Sequence, residues 1–215
     1  MDDISRIIGE AETDFAAGRL ELAINSCKAV LKEEPDNIPA LRRQAIAYLM
    51  LKDPKYFEAS KNLREITKNG LERSRGTMPK GWSFYKDLAL LSYAYTQIEQ
   101  YDSAIEISNA VLKVFSDNLL ALYVRGFTNY KLYRLEENGD LGLAAEDFEH
   151  VIRVGEQIKR KSFFEDRNLD NRYFMRLVIF GSVEALRDIY RLKFRPDKSL
   201  FNWFDSWRFK RRLSD

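Results

Sequence analysis

The sequence predicts an all-α protein, an α-solenoid of stacked antiparallel helical hairpins. Three observations predict it. Apolar residues recur at helical spacing, as Leu20, Ala23, Ile24, Cys27, Val30 and Leu31 do. Polar stops end helices at matched places, Pro35–Asp36–Asn37 and Ser116–Asp117–Asn118, and a new helix starts directly after each. Finally, the segment Gly18 to Ala23 aligns with Glu99 to Ala104, and Leu119 stands 34 residues after Tyr85. A period of that length marks hairpin units that cannot bury their apolar faces alone and must stack on a neighbour.

The first unit spans residues 4–37. Its first helix runs from Ile4 to Ala17 and ends at Gly18, a residue suited to the left-handed position after a helix. Its second helix, Leu20 to Glu33, stops at Pro35. The second unit spans residues 38–67. Pro39 sits in the first turn of its first helix, where a missing N–H costs nothing. Leu41, Ala45, Tyr48 and Leu49 form an apolar face, and Asp53–Pro54 break the pair. A partner helix from Tyr56 carries Ala59, Leu63 and Ile66. Residues 68–81 hold three glycines, a proline and four bases, and are read as a basic loop insertion. The third unit, residues 82–118, carries Leu88, Leu91, Ser92 and Tyr95, then Tyr101, Ala104, Ile107, Val111 and Leu112. The fourth, residues 119–154, carries Leu122, Gly126 and Tyr130; an expanded turn from Glu136 to Asp140; and Leu143, Ala144, Phe148, Val151 and Ile152.

The repeat array thus covers residues 1–158, and residues 159–215 form a C-terminal helical extension. Asn171 to Phe194 is apolar around much of its circumference, which predicts burial on two sides; Gly181–Ser182 is a candidate kink or split. Beyond Pro196, a last helix carries Leu200, Trp203, Phe204 and Trp207 on one face, followed by Lys210–Arg211–Arg212. Its expected role is to cap the last hairpin, and the second reading is that it enters the groove, its own or a neighbour's, as an internal ligand.

The composition fits a folded, mostly helical protein: 45% hydrophobic, 32% charged, with only ten glycines and five prolines in 215 residues. The net charge of +2 conceals a gradient, with nine acids and four bases from Met1 to Asn37 but six bases and three acids from Arg195 to Asp215. Cys27 is the only cysteine, so no internal disulfide forms, which suits a reducing, cytoplasmic setting. Met1–Asp2–Asp3 supplies no basic leader, so no secretory signal is expected. No window holds 18 uninterrupted apolar residues, so no membrane span is expected either.

These residues resemble the tetratricopeptide repeat family over Ile4 to Val154. The family's small residue near its eighth position is matched by Ala11, Ala45, Ser92 and Gly126, and its alanine near the twentieth by Ala23, Ala59, Ala104 and Ala144. Its closing proline is matched only by Pro35, and its early tryptophan is replaced by Ile7, Leu41, Leu88 and Leu122. The resemblance implies about four repeats in a right-handed superhelix, with small residues letting the two helices of a hairpin approach closely. It also implies that first helices line a concave groove. Carried onto this sequence, the groove holds Ile8, Glu12, Arg42, Arg43, Ile46, Met50, Lys86, Leu90, Tyr93, Tyr123, Phe127, Tyr130 and Lys131. Aromatics offer contact area at low entropic cost, and Arg42, Arg43 and Lys86 favour acidic groups. Some family members clamp a chaperone tail's carboxylate. The five matching positions here are Ile8, Glu12, Arg43, Lys86 and Leu90, of which only the lysine agrees, so such an adaptor is disfavoured.

No catalytic constellation stands out. His150, the only histidine, has no second ligand at metal spacing and reads as an ordinary surface or packed side chain; Cys27 falls on an apolar repeat position and reads as core. No cofactor or metal is expected. The predicted function is non-catalytic protein–protein interaction, as a scaffold, adaptor or assembly factor that holds a peptide or helix of a partner. The alternative is a membrane-surface or nucleic-acid-associated factor acting through the basic, Trp-rich C-terminal helix. A short helix and a terminal net charge of +3 leave that reading second. An uncapped Trp-rich end also invites dimerisation.

Overall fold

The computed structural model describes residues 3–73, 81–136, 138–159 and 169–193. Among the described residues the chain forms nine helices and no strand. They are α1 (Asp3–Ala16), α2 (Leu20–Glu33), α3 (Ile38–Met50), α4 (Tyr56–Arg73), α5 (Trp82–Gln97), α6 (Tyr101–Val114), α7 (Leu119–Arg134), α8 (Leu141–Lys159) and α9 (Leu169–Lys193). Each helix packs on the next in sequence, and α7 also packs on α5 and α9. The result is four stacked hairpins with α9 laid on the last, the α-solenoid that the repeat period predicts.

Local chemistry starts and stops these helices. The Asn37 side chain accepts a hydrogen bond from the Ala40 N–H at 3.0 Å and caps α3, and Asn118 does the same for Ala121 at 3.0 Å and caps α7. An asparagine at each cap satisfies a helix-end N–H that has no intrahelical partner. Inside three of the hairpins the second residue past the first helix is left-handed: Gly18 (φ 75°), Glu99 (φ 64°) and Glu136 (φ 60°). At Gly139 a Cβ would fall on the Asn129 carbonyl and the Tyr133 amide, so the longer turn before α8 admits only glycine there. Asp140 then caps α8, accepting from the Leu143 N–H at 2.9 Å.

Small residues stand where helices cross. Ala23, Ala45, Ala59, Ala104, Ala144 and Ser92 are all fully buried. At Gly126 an added Cβ would lie 3.1 Å from both Asp147 and Phe148, so α7 and α8 approach as closely as a backbone without side chain allows. One hydrophobic core runs from Phe15 on α1 to Ile189 on α9, with smaller clusters around Cys27 and around Tyr85. Buried polar groups pair across the stack. Gln44 donates to the Ile24 carbonyl at 3.3 Å and accepts from Asn62 at 2.8 Å; the Thr96 and Thr128 hydroxyls meet at 2.7 Å between α5 and α7. Each unpaired buried group of this kind would cost about 1–3 kcal/mol, so these pairs fix the register of neighbouring units.

Two sequence expectations are corrected. The helix α4 continues to Arg73, into the stretch read as a loop, because Leu71 packs beside the Tyr85 cluster. Helix α9 is continuous through Gly181–Ser182, where no split occurs: the Ser182 hydroxyl donates to the Val178 carbonyl at 2.7 Å and stays within the helix's own ladder. The predicted last helix with Leu200, Trp203, Phe204 and Trp207 lies outside the described residues.

A left-handed backbone costs a residue with a Cβ roughly 1–2 kcal/mol, and glycine adopts it freely but loses about 0.4–1 kcal/mol more chain entropy on folding. Replacing Glu99 by glycine, the residue found at the matching Gly18, is therefore expected to stabilise the protein by about 0.5–1 kcal/mol, read as a higher urea midpoint. A lower midpoint would mean that the Glu99 side chain stabilises this turn in a way the geometry does not reveal.

Candidate partner-binding surface

The odd-numbered helices adjoin along one side of the stack, α1 on α3, α5 on α7 and α7 on α9; this side is the inner face to which the resemblance assigns the groove. The groove residues read from the sequence fall into three groups there. Ile46, Leu90, Tyr93 and Tyr123 are buried, at 5% exposure or less. Ile8, Arg42, Arg43, Met50, Lys86, Phe127, Tyr130 and Lys131 are half-buried, and Glu12 is exposed.

The inner-face cations are engaged within the chain. Arg42 on α3 grips Asp87 on α5 with two parallel bonds, Nε to Oδ1 at 2.8 Å and Nη2 to Oδ2 at 2.7 Å, and Asp87 is only 1% exposed. The bond to Asp87 pushes the Arg42 guanidinium pKa up, outweighing the burial that pulls it down. Arg43 binds Glu12 of α1 through both Nε and Nη2, and its guanidinium lies 4.0 Å from the Phe15 ring centroid. Lys131 sits 5.4 Å from the Phe127 ring and 5.9 Å from the Tyr101 ring. Lys86 has an interaction within the chain as well. The two arginines that the sequence reading offered to an acidic partner thus tie α3 to α5 and to α1.

What dominates the inner face is aromatic. Tyr56 and Tyr93 meet edge to face at 6.0 Å, and Tyr123 stacks on Phe127 at 5.5 Å with an interplanar angle of 11°. From α9, Phe174 meets Tyr93 edge to face at 6.3 Å, and the adjacent Tyr173 donates to the Leu49 carbonyl at 3.4 Å. At Gly181 a Cβ would stand 2.7 Å from the Tyr123 ring. A helix of this chain therefore lies on the surface assigned to a partner, reaching α7, α5 and the end of α3. Burial raises the Tyr93 and Tyr123 hydroxyl pKa values, so both stay protonated and the face carries no tyrosinate charge. Tyr173, expected on a helix beyond the repeats and buried on two sides, reaches back to Leu49, a contact between distant positions that no local pattern reveals.

The opposite side carries a polar cleft of about 650 Å³ between α6, α7 and α8. Arg125 holds Asp147 through Nε and Nη2, at 2.9 and 2.7 Å, and donates to Asn109 at 3.0 Å. His150 pairs with Asp117 at 2.8 Å at the edge of this cleft. Among the described residues no group of three or more His, Cys, Asp or Glu side chains is placed to hold a metal. Nor is any described helix long and apolar enough to cross a membrane. Cys27 is buried in the first unit, and burial, the dominant cause, raises its thiol pKa to about 11 against a lowering by Arg43.

No protein-family model matches the sequence. A TPR repeat-containing protein of Methanocaldococcus jannaschii is 33% identical over 75 residues, a stretch that covers 35% of this chain and 12% of that protein's length. Among solved structures, the nearly identical TPR-like repeats described for a Podosopora anserina kinesin light chain superpose with a TM-score of 0.64 at 15% identity, covering 99% of both chains. The crystal structure of MamA superposes with a TM-score of 0.54 at 17% identity, covering 89% of this chain and 92% of that one. With the period, the small crossing residues and the stacked hairpins, these likenesses make the fold that of a tetratricopeptide-like α-solenoid.

Two outcomes follow from this geometry. Arg42→Ala leaves Asp87 buried without its partner and is expected to cost about 3 kcal/mol or more; an Arg42→Met/Asp87→Leu pair is expected to lose much less, both read by urea denaturation. For Cys27, the free thiol titrates near 8.5 and the folded one at about 11. Between those values the unfolded chain has released a proton that the folded chain keeps, so stability falls as pH rises through the window. Native protein at pH 8 should accordingly resist alkylation that the urea-unfolded chain undergoes readily; equal rates would place the thiol at the surface.

Proposed function

We propose that this tetratricopeptide-like solenoid is a non-catalytic protein–protein interaction module, a scaffold, adaptor or assembly factor whose inner face receives a helix or peptide of a partner. The observation that carries the reading is the seating of α9 on that face: Phe174 against Tyr93 and Gly181 against Tyr123 make the surface one that a helix fits. The half-buried aromatics Phe127 and Tyr130, with Met50 and Lys131, extend it with side chains that still reach solvent. Aromatic surface of this kind supplies most of the energy in protein interfaces, and a few such anchors dominate. Because Arg42 and Arg43 are held by Asp87 and Glu12, recognition rests on apolar contact, with Lys131 as the nearby cation, more than on acidic groups of the partner. A cytoplasmic setting suits a chain whose one cysteine is kept as a buried thiol.

The test uses half-buried side chains at the margin of the core, which still reach solvent. A Phe127→Ala/Tyr130→Ala/Lys131→Glu variant should keep its thermal midpoint within a few degrees while its affinity for co-purified, cross-linked partners falls about tenfold or more, roughly 1.4 kcal/mol. Lys28→Glu, on the outer face of α2, should change nothing. If the inner-face variant retains the same partners at the same yield, the inner face is not where they bind.

A further inference from the structure

Helix α9 is too long for the place it occupies. The odd helices α1, α3, α5 and α7 have 14, 13, 16 and 16 residues, whereas α9 has 25. Its C-terminal part sits on α7 and α8 much as α7 sits on α5 and α6, and there Ser182, Val183, Ala185, Leu186 and Ile189 are all buried. Its N-terminal part differs. Among its described side chains only Phe174 and Val178 are buried, and it crosses the inner face to reach α5 and α3. Among its described residues, Tyr173 makes a long polar link to the array, 3.4 Å to the Leu49 carbonyl. The two parts join at Gly181, the point pressed against the Tyr123 ring.

We propose that the N-terminal half of α9 is a displaceable internal occupant of the partner site, and that the partner it yields to is a helix presenting two adjacent aromatic residues, as Tyr173 and Phe174 do. The inference rests on the inner face being the binding surface. A tethered helix competes at an effective concentration in the millimolar range, and a partner binds with an affinity reduced by the fraction of chains whose face is open. The C-terminal half of α9 remains docked on α8 as the tether, so displacement needs no loss of the array. An aromatic pair suits the site because one ring packs edge-on against Tyr93 while a phenol beside it reaches a backbone carbonyl at the end of α3.

The experiment adds a fluorescein-labelled peptide with the sequence of residues 169–186 to the full chain and to its Tyr173→Ala/Phe174→Ala variant. The variant should bind the peptide about tenfold or more tightly than wild type, and a peptide carrying the same two alanines should fail to bind. A variant that keeps its circular dichroism yet binds the peptide no better than wild type overturns the proposal. Hydrogen exchange on the wild-type chain gives an independent reading should the variant unfold. Residues 173–180 should exchange about tenfold or more faster than residues 182–190, whereas equal protection would make α9 a single integral rung and overturn the proposal. Peptide binding together with unchanged partner capture by the inner-face variant would retain the internal occupant and remove the external one. The reverse pattern would retain the interaction module and remove the role of α9.

Discussion

At every crossing between the two helices of a hairpin, a side chain no larger than serine sets how near the backbones come. Ala23, Ala45, Ala59, Ala104 and Ala144 have no exposed surface, Ser92 has none either, and Gly126 leaves α7 within contact distance of Phe148. The close approach brings larger residues such as Leu49, Leu63 and Phe148 into full burial around each crossing, and complete burial of such a side chain stabilises by about 1.5–3 kcal/mol. If the crossings were wider, the same leucines and phenylalanines would line gaps, and the odd helices would no longer adjoin along one face. The inner surface is therefore a product of the crossings, as much as of the residues that line it.

Electrostatics serves the stack itself. Arg42 spans from the second unit to the third, Arg43 from the second back to the first, and Arg125 joins the two helices of the fourth. Asp87 and Asp147 are nearly inaccessible, so each relies on its arginine in a place where water cannot substitute. Fork-shaped guanidinium bonds of this kind are directional, and they hold one unit at a fixed rotation against the next. The outcome is a surface whose strongest cations face inward to other parts of the same molecule.

The architecture was legible because its signals are local or periodic. Helical spacing predicts stacked hairpins, Gly18 marks a left-handed turn, and the pattern delimits Leu20–Glu33 to the residue. Small residues at matched offsets found the crossings without any knowledge of the rest of the fold. The limits came where a long-range contact decides the outcome. Glycines and bases from residue 68 onward suggest a loop, yet Leu71 finds an apolar cluster contributed by α5, α6 and α7, and the helix persists to Arg73. Gly181 suggests a break, yet what it provides is room for Tyr123, a residue 58 positions earlier in the chain. The site was legible only in part for the same reason. Helix geometry assigns Arg42 and Arg43 to the groove, but it does not reveal that their acidic partners lie on other helices of the same chain. A recurring asparagine before α3 and α7 was visible in the sequence as a polar stop, and its capping role was the signal left unread.

The apolar interior passes without interruption from Phe15 to Ile189, handed from one pair of helices to the next. Such a chain resembles a row of coupled springs more than a droplet: each rung is held chiefly by the rungs beside it, while the N-terminal part of α9 reaches farther, to α5 and α3. Loss of order at either terminus can then travel inward stepwise, while the middle rungs, clasped from both sides, are the last to yield.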